Sequence, residues 1–322
     1  MKVLSVFYFW CICGILFIDF LVLEFIMVID FHTHIFPDKI AAKTIESLKA
    51  IARINAASDG TLNGLLDSMQ KSGVDQSVIM PVCTKVEQFD SINTFAKKVN
   101  DTYEGKLISF GGIHPDCENP KEKLKYIKSL GIPGIKIHPD YQKVMIDDIR
   151  FMRIIDYASE LGLVILTHAG IDIGLPEPVH CPPDKMRKVL DTLKPDKMVL
   201  AHLGGWKQWE EVYEYLAGEN VYLDTSFTVG VSVNHTKDMT LVFADEQKEN
   251  SISKNETKYT EYIERELFLK ILKKHGEDKI LFATDSPWSN SKVGMEYIRN
   301  LPISEKGKRQ ILSENAIRLL DM

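Results

Sequence analysis

Cysteine is scarce. The chain has five (Cys11, Cys13, Cys83, Cys117, Cys181), an odd number, with no pair of CxxC motifs. That argues against a disulfide framework and a cysteine-built zinc site, and it suits a reducing cytoplasm. An excess of charge is also lacking. With 39 basic and 45 acidic residues the formal net charge is −6, and no basic patch argues for a nucleic-acid partner. No GxGxxG follows an early strand-like run, so the doubly wound open sheet is the weaker alternative for the fold. There is no internal repeat of fixed period and no low-complexity tract. What remains is an ordinary globular mixture of 45% hydrophobic and 26% charged residues, in 322 residues that can bury a sizeable core.

The N-terminus departs from that mixture. From Val3 to Leu23 the chain is apolar except for Ser5, Gly14 and Asp19. A membrane anchor or a signal peptide led by Lys2 would fit the length. Against both, no small-residue cleavage site follows. The run also passes without a linker into Val28-Ile29-Asp30-Phe31, which reads as a core strand. The preferred expectation is that residues 1–26 are an upstream misread of a start at Met27, and that 27–322 form one domain. No membrane partner is expected unless residues 1–26 are a real anchor.

Eight short apolar runs recur along the rest of the chain: Val28–Phe31, Ser77–Pro81, Leu107–Ile113, Gly134–His138, Leu163–His168, Met198–His202, Val221–Asp224 and Ile280–Asp285. Each is too short for a helix and rich in Val, Ile, Leu or Phe. Helical patterns lie between them. Thr61–Ser72 places Leu62, Leu65, Leu66 and Met69 on one face and stops at Gly73; Arg150–Leu161 stops at Gly162; Tyr262–Lys274 and Lys308–Leu320 read likewise. Strand alternating with helix eight times predicts an α/β (β/α)8 TIM barrel. Two insertions interrupt it. Residues 38–60 carry one helix, roughly Ile40 to Arg53, and the polar residues 226–258 read as a lid or a solvated excursion.

The strand ends carry the chemistry. The first closes in His32-Thr33-His34, the third to sixth at His114, His138, His168 and His202, and the eighth at Asp285. Alternation points His32 and His34 the same way, and the C-terminal ends of barrel strands are where active sites lie. Histidines from several strands with one carboxylate suit a divalent metal. Lys136 shares a face with His138, as charge compensation or, if carboxylated, as a bridge to a second metal. His180, His235 and His275 fall in loops or a helix end and read as ordinary surface or core histidines. Trp206, Trp209 and Trp288 read equally as an aromatic wall or as packing.

Ile29-Asp30-Phe31-His32-Thr33-His34, Thr167-His168-Ala169-Gly170, Leu200-Ala201-His202-Leu203-Gly204-Gly205 and Ala283-Thr284-Asp285-Ser286-Pro287-Trp288 together resemble the amidohydrolase superfamily. The nearest branch is amidohydrolase family 2, the aminocarboxymuconate-semialdehyde decarboxylase-like group. The resemblance implies a barrel with one divalent metal, zinc foremost, on His32, His34, His168 and Asp285, with His202 as the acid/base residue beside it. Lys136-Ile137-His138-Pro139 departs from binuclear members. The branch holds both hydrolases and non-oxidative decarboxylases. The first expectation is a hydrolase that uses a metal-activated water on an amide, ester or lactone, with Asp285 as the water's proton acceptor. The alternative is a decarboxylase, which needs a cation for the departing carboxylate. Arg53 is the candidate, since Arg150, Arg153 and Arg187 fall in helices. A metal-binding barrel without turnover is the non-enzyme reading. The substrate is a small molecule, and a homodimer is compatible with all of this.

Overall fold

The structure, a computed structural model, describes residues 4–12, 15–23, 27–52, 54–175, 177–228 and 263–322, with side chains from residue 27 onward. Strands β1 (Leu4–Ile12) and β2 (Ile15–Leu23) form an antiparallel hairpin. Among the described residues no helix is long and apolar enough to cross a membrane.

The barrel follows. Its strands are β3 (Ile29–Thr33), β4 (Gln76–Ile79), β5 (Leu107–Ser109) continued after Phe110 by β6 (Gly111–Gly112), β7 (Gly134–Ile137), β8 (Val164–Thr167), β9 (Met198–Leu200), β10 (Tyr222–Asp224) and β11 (Ile280–Leu281). Counting β5 and β6 as one interrupted strand gives the eight expected from the sequence. Neighbours pair in parallel, β3 with β4 and β4 with β5, then β6 through β11 in order. The ring closes between first and last strands. Phe31 N donates to Phe282 O at 2.9 Å, and Asp285 N to His32 O at 2.8 Å.

Several strands stop short of the apolar runs that announced them. His138, His168 and His202 lie beyond the last ladder residue. Their side chains are therefore set by the turns that follow rather than by the pleat.

Alternation along the strands separates two cores. Ile135, Ile165, Met198, Leu200, Leu223 and Ile280 face the helices; Phe31, Phe110, Val164, Leu166, Val199 and Leu281 gather in a second cluster inside the barrel. Phe31 and Phe110 meet edge to face at 5.9 Å. Truncating either buried ring to alanine is expected to cost about 3–5 kcal/mol.

The helices begin and end where local chemistry dictates. Helix α1 spans Asp38–Ala52 and α2 Leu62–Ser72. Thr61 Oγ1 accepts the Gly64 N–H at 3.0 Å, and Gly73, at φ +81°, turns the chain out of α2. The predicted helix at Arg150–Leu161 spans Ile149–Glu160. The pattern at Lys308–Leu320 is not one regular helix. Two short α-helices, Glu305–Arg309 and Asn315–Leu319, flank a π-helical turn over Gln310–Glu314. Most of the second insertion, with His235, lies outside the described residues, as does Arg53.

Candidate metal-dependent active site

A shift of register brings the first-strand histidines to the site. Pairing of β3 with β4 slips between Asp30 and Thr33. Phe31 thus packs in the inner core while His32, one residue on, still directs its ring to the cleft. Asp30 anchors the irregularity: Thr284 N and Oγ1 both donate to its carboxylate, at 3.0 and 2.6 Å. Burial pushes the Asp30 carboxyl up to about 7, against the pull of these hydrogen bonds.

Two groups of donors meet at the strand ends, and each can hold a metal ion. Within each group the ligand atoms lie within 4.8 Å of one another. The first is His32, His34 and Asp285. His34 Nε2 lies 3.0 Å from Asp285 Oδ1 and 3.1 Å from His32 Nε2. His32 Nδ1 donates to Asp224 Oδ2 at 2.9 Å, so its Nε2 carries the lone pair. Lys136 Nζ donates to that nitrogen at 3.2 Å. Lys136 is the one buried lysine among the described residues, and no described arginine is buried. Desolvation brings its ammonium down to about 8 despite Asp285 and Asp224 nearby. Burial alone pushes the Asp285 carboxyl up, but the His34 hydrogen bond and the surrounding imidazoles outweigh it, so the net displacement is downward.

The second group is His138, His168 and Asp172. The His138 and His168 rings stack at 4.2 Å with 9° between planes. His138 Nε2 is 3.5 Å from Asp172 Oδ2. Desolvation, the largest cause in each case, holds His32, His138 and His168 well below the usual histidine range. All three are neutral at pH 7, which is the ligating form.

His202 stands between the groups. Its Nδ1 lies 3.1 Å from the Ser226 carbonyl, so that nitrogen holds the proton and donates. Nε2 is then an acceptor, and His168 Nδ1 donates to it at 3.0 Å. Asp224 Oδ1 accepts the backbone N–H of His202 at 3.0 Å, so one carboxylate positions both His32 and His202. His202 (φ +59°) and Asp285 (φ +62°) both occupy the left-handed region, uncommon for non-glycine residues and concentrated at functional sites. Gly170 also has positive φ, at +81°, and a Cβ there would collide with the Trp206 backbone nitrogen.

The structure thus brings His32, His34 and Asp285 together, with His202 alongside. It places His168 in the neighbouring group. His114 joins neither, its Nδ1 accepting the Asp116 N–H at 3.2 Å. His180 lies in a loop, with its Nδ1 3.0 Å from Asp140 Oδ1. His275 is a satisfied core histidine: Nε2 donates to Val221 O and Nδ1 accepts from Gly218 N. Trp206, Trp209 and Trp288 are buried, and Trp209 Nε1 donates to the His202 carbonyl. Asp140, Asp172 and Asp224 escaped the sequence reading. Asp224 closes a strand-like run as the histidines do, and that position was its signal.

No curated protein matches the sequence significantly. An uncharacterised TIM-barrel protein from Bordetella bronchiseptica is similar in structure, with a TM-score of 0.69 at 20% identity over 92% of this chain and 98% of that one. A 2,6-dihydroxybenzoate decarboxylase from Rhizobium gives 0.60 at 12% identity over 92% and 98%. A 5-carboxyvanillate decarboxylase from Novosphingobium aromaticivorans, solved with bound manganese, gives 0.64 at 11% identity over 93% and 98%. At these identities the likeness shows the fold, a (β/α)8 barrel. The family model described as amidohydrolase matches residues 29–322, a span that begins at the first barrel strand and takes in both donor groups, and the chain belongs to that family of enzymes.

Proposed function

We propose that the chain is a metal-dependent, non-oxidative decarboxylase of a small carboxylated aromatic substrate. The observation that carries this reading is Lys136, a buried ammonium 3.2 Å from a histidine of the donor set. A decarboxylase needs a cation to hold its substrate's carboxylate in a dry site, and Lys136 supplies one without Arg53. Hydrolysis ranked first from the sequence. The buried lysine and the activities named for two of the structural relatives reverse that order.

Two imidazole nitrogens and one carboxylate oxygen from His32, His34 and Asp285 suit a divalent first-row metal, manganese or zinc. His168, the fourth donor expected from the sequence, would join that set through Nδ1, the nitrogen that lies 3.0 Å from His202 Nε2. A metal held there supplies Lewis acidity that polarises the substrate's oxygens. Lys136 Nζ, 3.2 Å from His32 Nε2, would pair with the substrate carboxylate when that nitrogen holds the metal. Breaking the carbon–carbon bond releases carbon dioxide and leaves the electron pair on the substrate carbon, which must then take a proton. Asp285, a carboxylate in the resting site, takes that proton from a substrate hydroxyl or water and passes it to carbon. His202, fixed by Ser226 and Asp224, is the acid/base partner that orients the reacting group.

The test is metal-loaded protein incubated with hydroxybenzoates, lactones and amides while carbon dioxide is measured. Release of carbon dioxide in step with loss of the hydroxybenzoate is the expected result. Opening of a lactone or amide with no carbon dioxide from any carboxylated substrate would restore the hydrolase reading.

A further inference from the structure

We propose that Tyr141, Asp172 and His138 form a specificity subsite for a second hydroxyl on the substrate's ring, beside the lysine that takes its carboxylate. The inference rests on the decarboxylase reading above. It begins with a hydroxyl that has nothing to bind. Tyr141 lies just past β7, in the four-residue helix Pro139–Gln142. Its backbone N–H donates to His138 Nδ1 at 3.4 Å, and its ring meets the His138 ring edge-on at 4.4 Å. Its Oη makes no hydrogen bond among the described residues, and the side chain is half-buried. Burial pushes the phenol up, and the carboxylates of Asp172 and Asp285 push it further, which sets the hydroxyl within electrostatic reach of both donor groups.

Asp172 presents the matching acceptor. Its Oδ1 is committed to Gly174 N and Leu175 N, at 2.8 and 3.0 Å. Its Oδ2 accepts no hydrogen bond among the described residues and lies 3.5 Å from His138 Nε2. Because His138 Nδ1 accepts from Tyr141, Nε2 carries that ring's proton. Gly174 keeps the turn close. A Cβ there would lie 3.3 Å from Asp172 Oδ1, 3.2 Å from Ile51 Cγ2 and 3.9 Å from Tyr141 Oη. The subsite thus offers a carboxylate acceptor, an imidazole N–H and a phenol. A hydroxyl satisfies that set, since it donates once and accepts up to twice. An ammonium would meet the two donors, and a carboxylate would meet the Asp172 anion, so a neutral hydroxyl fits where either charged group would not. Asp172 is also among the charges that act on Lys136. One small molecule can therefore set its carboxylate on the lysine and its hydroxyl here.

The test is binding of benzoates to the full-length protein loaded with manganese(II), followed by titration calorimetry in wild type, Tyr141→Phe and Asp172→Asn. The ligands are 2-hydroxybenzoate and the dihydroxybenzoates that add a second hydroxyl to it. In the wild type at least one dihydroxybenzoate should bind about tenfold or more tightly than 2-hydroxybenzoate. That ratio should fall towards one in both variants. A merely structural role would weaken all ligands together and leave the ratio standing. The amide oxygen in Asp172→Asn still accepts from Gly174 and Leu175, and thermal melts confirm that both variants are folded. A ratio near one in the wild type, or an unchanged ratio in either variant, overturns the proposal and leaves the decarboxylase reading standing. Loss of bound manganese in Asp172→Asn also overturns it, by making that carboxylate a ligand. No binding of any benzoate sinks both. A ratio that falls in both variants, with no carbon dioxide released from any benzoate, upholds the subsite and sinks the decarboxylase reading instead.

Discussion

The two donor groups share one end of the barrel and nearly the same residue types, yet their hydrogen-bond partners differ. His32, His34 and Asp285 stand beside Lys136, a cation that already donates to the His32 lone pair. His138, His168 and Asp172 stand beside Asp140, whose Oδ2 lies 3.8 Å from His168 Nε2 and whose carboxyl burial pushes up. Residue type alone does not distinguish them. What does is the proton on each imidazole, and the partner of the far nitrogen decides that. Asp224 leaves His32 Nε2 open, and His202 leaves His168 Nε2 open. The first group is arranged to take a metal together with an anionic substrate.

The largest effect should come from removing the first group's nitrogen donors. His32→Ala/His34→Ala is expected to lose the catalytic metal and all measurable turnover, with elemental analysis and carbon dioxide release as the checks. Asp285→Asn should lose turnover and also weaken metal binding, since the only anionic donor of that group is gone. His202→Asn should lose turnover by roughly a hundredfold or more while the first metal stays bound. Equal metal loss in the Asp285 and His202 variants would make His202 a ligand and erase its distinct role. Metal content of His168→Ala, measured beside that of His32→Ala/His34→Ala, shows whether His168 completes the first group.

Smaller effects sharpen the contrast. Asp224→Asn keeps the shape but weakens the hold on the His32 Nδ1 proton, so metal affinity at the first group should fall about 10–100-fold. Competition with a chelator checks it. A third environment acts as a control. His275 belongs to neither group and is buried with both nitrogens satisfied, and burial lowers it from 6.5 to about 4. The folded state therefore resists its protonation. The stability it contributes is complete above pH 6.5 and is lost as pH falls towards 4, by at most about 3 kcal/mol. Thermal melts across that range should flatten in His275→Gln, with activity at pH 7 unchanged.

Much of this was legible in the sequence because a barrel strand writes itself as a short apolar run with a polar residue at its C-terminal end. His32, His34 and Asp285 could be named on that ground, and so could the helix bounded by Thr61 and Gly73. The limits are physical. Asp140 and Asp172 sit in turns past the strand ends, where no period marks a side chain's direction. The partners of His168 depend on ring orientation, which spacing does not encode. The register slip at Asp30–Thr33 preserves the apolar pattern while changing which residues fill the barrel, so alternation alone misplaces Phe31. The π-helical turn at Gln310–Glu314 likewise breaks a helix whose apolar pattern runs on.

The central claim is that the first group is a metal site at which a carboxylate is removed from its substrate. Its most direct test is carbon dioxide released from a hydroxybenzoate by manganese-loaded wild type, measured beside the His32→Ala/His34→Ala protein under the same loading. The account predicts carbon dioxide equal to substrate consumed in the wild type and none above background in the variant. Equal release from both proteins, or consumption of substrate without carbon dioxide, would contradict it.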